Sequence, residues 1–179
     1  ERVCRYLLSL KEQGISVAGV HVNFSAVMFG QPGVVERVRR IIGDSGVPFS
    51  QIVIEFTETA LAEKPELVGE FAREMRQMGI RLGLDDFGTG YSNLSSVLAL
   101  PFDTVKLDKS LIWAAVEQEN TAAMVRALTE IFHRIGMQVL AEGVEDEAQN
   151  RFVLDCGIEL IQGFLYARPL PGAEAAAFL

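Results

Sequence analysis

The sequence has few of the residues that mark several common functional classes. Its 179 residues include two cysteines, two histidines and no GxSxG motif, so neither a zinc site nor a serine hydrolase elbow is indicated. Cys4 and Cys156 form no CxxC pair, and we interpret both as small buried hydrophobic residues in a reducing compartment. We interpret His21 as a core or rim residue without a catalytic role, since no nucleophile is evident beside it.

Long hydrophobic runs and positive charge are also scarce. No apolar stretch reaches the roughly 18 to 20 residues that span a bilayer, and residues 1–14 contain acids and no signal-peptide cleavage site. We therefore expect a cytoplasmic protein without a membrane segment. Sixteen Lys and Arg against 24 Asp and Glu give a net charge of -8, which argues against a DNA or RNA polymer as partner. A phosphate ligand would need local help, most simply from bound cations.

The sequence does contain a repeated alternation of strand-like and helix-like segments. Short β-branched runs predict strands at residues 17–24, 51–56, 80–85, 103–108, 137–142 and 159–164. Apolar residues at helical spacing predict helices between them, for example Leu67, Phe71, Met75 and Met78 on one face, and Met124, Leu128, Ile131 and Ile135 on another. This alternation predicts an α/β fold with parallel strands, either a doubly wound sheet or a (βα)8 barrel.

Polar residues at the strand ends distinguish between these two folds. Each predicted strand has one at or near its C-terminal end: Asn23, Glu55, Asp85, Asp108, Glu142 and Gln162. A doubly wound sheet concentrates its ligands near one switch point, whereas a barrel collects polar groups from many strand ends at one face. We therefore predict a TIM-like (βα)8 barrel that forms a single domain over residues 1–179.

The predicted barrel is short of strands. A (βα)8 barrel has eight strands and typically about 250 residues, whereas six strands are predicted and the sequence opens on a helix. We expect about two βα units to be missing from the front. Either the sequence is part of a longer protein, or the barrel is shortened and has an exposed edge that something must cover.

The strand ends together offer a ligand set made only of oxygen atoms. Its members are Asn23, Glu55, Asp85, Asp86 and Glu142, with the cation Lys106 beside them. Oxygen ligands favour Mg²⁺ or Mn²⁺, and two ions about 3.5 to 4 Å apart form a clamp for in-line attack on a phosphodiester. We predict that Asp85 bridges two such ions and that Asp86 binds the second. The alternative for each acid is that it caps a helix N-terminus.

Taken together, these motifs resemble the EAL family of bacterial cyclic di-GMP phosphodiesterases. The matching stretches are VNFSA (22–26), EFTET (55–59), LDDFGTGYSNLSSV (84–97), LPFDTVKLDKS (100–110), LAEGVED (140–146) and IQGFLYARPLP (161–171). They span nearly the whole sequence in the family's order. The substitutions within them are mild, such as Phe24 and Phe56 where Leu is common, Leu107 where Ile is common, and Asn93 where Ser is common.

The resemblance implies a function and a role for each matching residue. It implies hydrolysis of cyclic di-GMP to linear pGpG, with two Mg²⁺ or Mn²⁺ ions held by Asn23, Glu55, Asp85, Asp86 and Glu142. The catalytic residues would be Lys106 and Asp108, which position or activate water, together with Glu142. Gln162 would shape the site, Glu145 would be an outer partner, and Glu58 would steady the DFGTG loop. That loop couples the site to a homodimer interface in the family, and we interpret FGTGYS (87–92) as a mobile lid.

The sequence departs from the family in one important respect. It lacks the Glu-Ala-Leu segment, whose Glu binds metal and whose nearby Arg contacts substrate on an early strand. One hypothesis is that a longer native protein supplies this strand and is an active phosphodiesterase, with a sensory or diguanylate cyclase domain beside it. The other is that the domain is a catalytically inactive cyclic di-GMP receptor or interaction module.

Overall fold

The structure, a computed structural model, describes residues 1–90 and 94–178. Helices and strands alternate along nearly all of this length. The six strands are β1 (Val20–Asn23), β2 (Ile52–Thr57), β3 (Arg81–Phe87), β4 (Thr104–Leu107), β5 (Gln138–Ala141) and β6 (Leu160–Ile161). The helices are α1 (Arg2–Glu12), α2 (Ala26–Phe29), α3 (Val34–Ser45), α4 (Glu58–Glu63), α5 (Pro65–Gln77), α6 (Leu94–Leu98), α7 (Lys109–Glu117), α8 (Glu119–Arg134), α9 (Glu147–Asp155) and α10 (Gly172–Phe178).

The six strands form one parallel sheet in the order β1-β2-β3-β4-β5-β6. Each strand pairs with the next along the chain, so the C-terminal ends of all six lie along the same edge of the sheet. With its alternating helices, this sheet is six-eighths of a TIM-like barrel, as predicted. Within the described ranges, β1 and β6 are the two open edges of the sheet.

The sheet buries one face against the helices and turns the other towards the barrel interior. Because side chains alternate along a strand, Ile54 and Phe56 of β2 pack outward into the main hydrophobic core. The Phe56 ring stacks on Phe29 of α2 at 5.3 Å and meets the edge of Phe71 of α5 at 6.1 Å. Glu55, between Ile54 and Phe56, therefore points into the interior. Aromatic packing behind β2 fixes the direction of this acid.

All six predicted strands are present, and the structure corrects their ends. The segments predicted at 17–24 and 159–164 shorten to Val20–Asn23 and Leu160–Ile161. After β6, the chain runs so close to the preceding loop that a Cβ on Gly163 would lie 1.9 Å from the Val144 carbonyl oxygen. This close approach needs glycine and replaces regular strand pairing.

The face of α8 predicted from apolar spacing is not the buried face. Of the four residues of the predicted face, Met124, Ile131 and Ile135 are 44%, 37% and 49% exposed, and Leu128 is half-buried against the core. The buried residues of α8 are Ala122, Val125, Thr129 and Phe132. The buried face of α8 contains a polar residue, Thr129, so it does not stand out as an apolar stripe in the sequence. The Thr129 hydroxyl can be buried because it donates to the Val125 carbonyl oxygen at 2.9 Å. Every helix in the described part of the chain is too short or too polar to span a bilayer.

Candidate metal centre

Five strands place the predicted polar residues at one edge of the sheet. Asn23 ends β1, Glu55 lies in β2, Asp85 and Asp86 lie in β3, Lys106 lies in β4, and Glu142 follows β5. The backbone is in parallel register here, with Asn23 opposite Glu55 and Thr57 opposite Asp85. The shared edge brings together side chains that are up to 119 positions apart in the sequence, from Asn23 to Glu142.

Lys106 is the centre of this cluster. Its Nζ atom lies 2.8 Å from Asp85 Oδ1, 2.6 Å from Glu142 Oε1 and 3.3 Å from Glu55 Oε1. Glu55, Asp85 and Lys106 are all buried. One ammonium group thus links three carboxylates that come from three other parts of the sheet.

Glu55 has two further neighbours on β1. His21 Nδ1 lies 2.7 Å from Glu55 Oε1. With its amide nitrogen turned towards the acids, Asn23 donates to Glu55 Oε2 at 3.2 Å and to Asp85 Oδ2 at 3.0 Å. The same amide can present its oxygen to a cation by turning over. The sequence indicated a core or rim position for His21 without a catalytic role, and its position two residues before Asn23 on a strand puts both side chains on one face.

A bulge in β3 allows two adjacent aspartates to face the same site. Neighbouring residues on a regular strand point to opposite faces, so Asp85 and Asp86 would diverge. The pairing between β3 and β4 shifts register between Leu84 and Phe87, and Asp86 has a positive φ of 58°. Bulges of this kind change the direction in which side chains point. Aspartate also tolerates left-handed backbone angles better than most residues.

The pKa values of Glu55 and Lys106 show that the contacts of each charged group outweigh the effect of its burial. Burial alone would raise the pKa of Glu55, but the hydrogen bond from His21 and the charge of Lys106 outweigh burial and lower it. Burial also opposes the charge on Lys106, yet hydrogen bonds to Asp85 and Glu142 and the charge of Glu55 raise the Lys106 pKa above its ordinary value. Both groups are therefore ionised at neutral pH.

The raised pKa values of Asp86 and Glu142 indicate an excess of negative charge in the cluster. Burial raises the pKa of Asp86, and the charges of Asp85 and Asp108 raise it further. Burial likewise raises the pKa of Glu142, and Lys106 only partly offsets this and the charges of the two aspartates. A second positive charge at this position would be stabilised by these acids.

The residues present fit a divalent cation. Asp85, Asp86 and Glu142 each offer a carboxylate oxygen, and these three oxygens lie within 4.8 Å of one another. The Asn23 amide and the Glu55 carboxylate adjoin Asp85. Carboxylate and amide oxygens are the ligands of Mg²⁺ and Mn²⁺ rather than of zinc. The geometry brings together three of the five predicted ligands, Asp85, Asp86 and Glu142, and places Asn23 and Glu55 beside Asp85.

Glu58 reaches the loop that follows β3. The side chain is 2% exposed, and its Oε2 atom accepts hydrogen bonds from the backbone N–H groups of Gly88 at 2.8 Å and Thr89 at 3.1 Å. These contacts agree with the predicted steadying of the DFGTG loop. The lid was predicted over residues 87–92, of which Tyr91 and Ser92, like Asn93 after them, lie outside the described residues.

The remaining predicted residues lie at the rim. Asp108 caps α7, where its Oδ1 atom accepts a hydrogen bond from the Ser110 backbone N–H at 2.9 Å. Gln162 and Glu145 are exposed and, with Lys109, line a cleft of about 450 Å³. Of the cysteines, Cys4 is buried as expected and Cys156 is half-buried. Burial raises the pKa of the Cys156 thiol.

Comparison with known families gives one clear match. The family model described as "EAL domain" matches residues 1–169. The cyclic di-GMP phosphodiesterase NbdA of Pseudomonas aeruginosa is 34% identical over 178 residues, which cover 99% of this chain and 23% of NbdA. The chain spans about a fifth to a quarter of the length of the curated relatives it matches.

Solved structures match over nearly the whole chain. The PaMucR phosphodiesterase in a c-di-GMP complex is 30% identical with a TM-score of 0.90, and the match covers 97% of this chain and 70% of that one. A manganese and cyclic di-GMP complex of Klebsiella pneumoniae BlrP1 is 26% identical with a TM-score of 0.85, over 94% of this chain and 43% of that one.

Proposed function

This chain belongs to the EAL domain family, and from that premise we propose that it hydrolyses cyclic di-GMP to linear pGpG with the help of two bound Mg²⁺ or Mn²⁺ ions. The observation that carries the proposal is the convergence of Glu55, Asp85 and Glu142 on Lys106, beside the carboxylate of Asp86. The names of NbdA and PaMucR as phosphodiesterases support the choice of substrate.

The proposed reaction is an in-line displacement at phosphorus. The oxygen of a water molecule forms a bond to phosphorus, and the bond from phosphorus to the ribose O3′ breaks. One proton of the water ends on O3′, and the other is released to solvent. Asn23, Glu55, Asp85, Asp86 and Glu142 would hold the ions, with Asp85 as the bridge. When bound, the ions supply an activated water and neutralise charge on the phosphate.

Lys106 acts in this mechanism as a donor and not as a base. Its pKa is raised, so the ammonium keeps its proton at neutral pH and cannot accept one from water. It instead fixes Asp85 and Glu142 in place and offers positive charge to the reacting phosphate. We propose that Asp108, which follows β4 and caps α7, also orients water. In this proposal Gln162 and Glu145 act from the rim of the site, and Glu58 acts through the loop after β3.

A hydrolysis assay tests the proposed function. Purified intact protein is incubated with cyclic di-GMP and Mn²⁺, and pGpG is measured by chromatography. We expect turnover that EDTA abolishes and that Asp85→Asn lowers by about 10²-fold or more, while the exposed Asp44→Asn leaves it unchanged. No turnover by the intact protein, or full turnover by Asp85→Asn, would overturn the proposal. Tight binding of cyclic di-GMP without turnover would select the receptor instead.

The proposed mechanism also requires the Glu-Ala-Leu motif. The 179 residues do not contain it. We propose that the intact protein is one barrel domain that carries the motif on a strand beside β1, because β1 is an open edge and its Asn23 faces the site. Sequencing the coding region upstream of Glu1 checks this, and a region without the motif favours a receptor or interaction module.

The proposal extends to partners. We propose a homodimer, supported by the exposed apolar side chains of Met124 and Ile131 on α8 and of Ile135 at its C-cap. Light scattering of the intact protein tests it, since Ile131→Glu should yield monomers where the wild type is dimeric. A flanking sensory or diguanylate cyclase domain is supported by MucR of Pseudomonas aeruginosa, which is named a bifunctional diguanylate cyclase/cyclic di-GMP phosphodiesterase. A cytoplasmic location remains part of the proposal.

A further inference from the structure

His21 is joined to the metal centre through Glu55. It lies on β1 opposite Val53, and Asn23 lies opposite Glu55, so His21 and Asn23 share the interior face of the sheet. The His21 side chain reaches along this face to place Nδ1 2.7 Å from Glu55 Oε1. This is the shortest contact that the structure describes for the Glu55 carboxylate.

The direction of the hydrogen bond between His21 and Glu55 follows from the ionisation state of Glu55. A carboxylate that binds a divalent cation is ionised, and an ionised carboxylate can only accept hydrogen bonds. The proton must therefore be on Nδ1 of His21, which donates to Oε1. Fixing the proton on Nδ1 also fixes the orientation of the imidazole ring.

The bond determines how Glu55 presents its two oxygens. Oε1 accepts from His21 and lies 3.3 Å from the Lys106 ammonium. Oε2 is left on the side of Asn23, whose amide also contacts Asp85. A Cβ on Gly83 would lie 3.3 Å from Glu55 Cγ, so the stem of the acid is confined by the neighbouring strand as well.

We propose that His21 is a positioning residue whose Nδ1–H holds the Glu55 carboxylate in the orientation that binds a divalent cation. The inference rests on the metal centre of the proposed function and adds a residue that the sequence indicates only as a core or rim histidine. Hydrogen bonds to a ligating carboxylate limit its rotation before the ion arrives, and losing such a partner typically weakens metal binding by about 10- to 100-fold.

A second histidine pair in the chain provides a matched control. His133 Nε2 lies 3.0 Å from Glu159 Oε2, so this pair has a bond of the same chemical type. Glu159 is 40% exposed and accepts a hydrogen bond from the backbone N–H of Val139. Val139 lies near the N-terminal end of β5, away from the carboxylate cluster. Loss of this pair changes local stability without touching a candidate ligand.

The test measures Mn²⁺ affinity of the intact protein by electron paramagnetic resonance, without substrate. We expect His21→Leu to weaken Mn²⁺ binding by about 10- to 100-fold. His21→Asn should bind Mn²⁺ almost as well as the wild type, because the amide nitrogen of asparagine can take the place of Nδ1. His133→Leu should leave the affinity unchanged. Thermal unfolding of each variant confirms that it is folded.

Two results would overturn the proposal: wild-type Mn²⁺ affinity in folded His21→Leu, or an affinity of His21→Asn as low as that of His21→Leu. The outcome is separable from that of the proposed function. If the wild type binds Mn²⁺ but does not hydrolyse cyclic di-GMP, the function fails, and the comparison of Leu and Asn at position 21 still decides the role of His21. If the wild type hydrolyses it and His21→Leu binds Mn²⁺ normally, only the role of His21 fails.

Discussion

The Nζ atom of Lys106, on β4, lies 2.6 Å from Oε1 of Glu142, the residue that follows β5. Lys106 is buried, and the same ammonium group also contacts Asp85 and Glu55. The lysine therefore partly neutralises the acids that would hold a cation. Because Lys106 has a fixed position on β4, it also holds the carboxylates of these acids close together.

Replacing Lys106 should separate catalysis from metal binding. We expect Lys106→Met to lower kcat for cyclic di-GMP hydrolysis by about 10²- to 10³-fold, because a charged donor to the reacting phosphate is lost. Mn²⁺ affinity should not fall, since the loss of a competing positive charge offsets the loss of the contacts that hold Asp85 and Glu142 in place. Steady-state kinetics and Mn²⁺ titration check the two effects, and the exposed Lys11→Met is the control. Normal kcat in Lys106→Met would contradict the assigned role.

Removing the Glu58 carboxylate should loosen the loop after β3. Glu58→Ala leaves the N–H groups of Gly88 and Thr89 without the acceptor they have in the structure. We expect a loss of about 2 kcal/mol in the free energy of unfolding, with faster hydrogen exchange at those two amides. Exchange followed by mass spectrometry checks this. Glu63→Ala, at an exposed position on the same helix, should change neither, and equal exchange in both variants would argue against the contact.

Two glycine substitutions should have opposite effects on stability. Gly88 has a φ of 105°, and a Cβ there would lie 2.1 Å from Leu111 Cδ1, so Gly88→Ala should cost about 1–3 kcal/mol. Gly43, inside α3, has nothing within 4 Å of its Cβ position, so Gly43→Ala should stabilise by about 0.5–1 kcal/mol. Urea unfolding measures both. A neutral Gly88→Ala would mean that Leu111 and the loop can move aside.

Glu159 should contribute stability that depends on pH. Burial alone would raise its pKa, but hydrogen bonds from His133 and the Val139 N–H lower the pKa below its ordinary value of 4.5. A pKa lowered by folding stabilises the folded state above the ordinary value and loses this effect as the pH falls through the folded pKa. Glu159→Gln should therefore cost about 0.5–1 kcal/mol at pH 7, a modest effect because the side chain is partly exposed.

The difference between the wild type and Glu159→Gln should shrink as the pH is lowered below 4.5. Urea unfolding at a series of pH values measures it, with the exposed Glu12→Gln as a control that shows no such trend. A difference that stays constant from pH 7 to pH 3 would show that the charge of Glu159 is not the cause.

Part of the site could be predicted because it depends on local rules. Strand runs and helical spacing predict parallel strands, and parallel strands place their C-terminal ends together. Asn23, Glu55, Asp85 and Glu142 follow from that rule alone, and the structure brings them together. The helix face predicted on α8 was wrong for a related reason. Spacing identifies an apolar stripe but not which neighbouring element covers it.

Periodicity and residue type along the chain are enough to predict the order of strands and helices, the barrel topology and the oxygen-rich residues at the strand ends. The contacts between those residues follow only from the three-dimensional fold. The bulge in β3 turns Asp86 towards Asp85 against the alternation of a regular strand. The positions of Lys106 among three acids and of His21 against Glu55 depend on contacts between strands, which no spacing along one segment encodes.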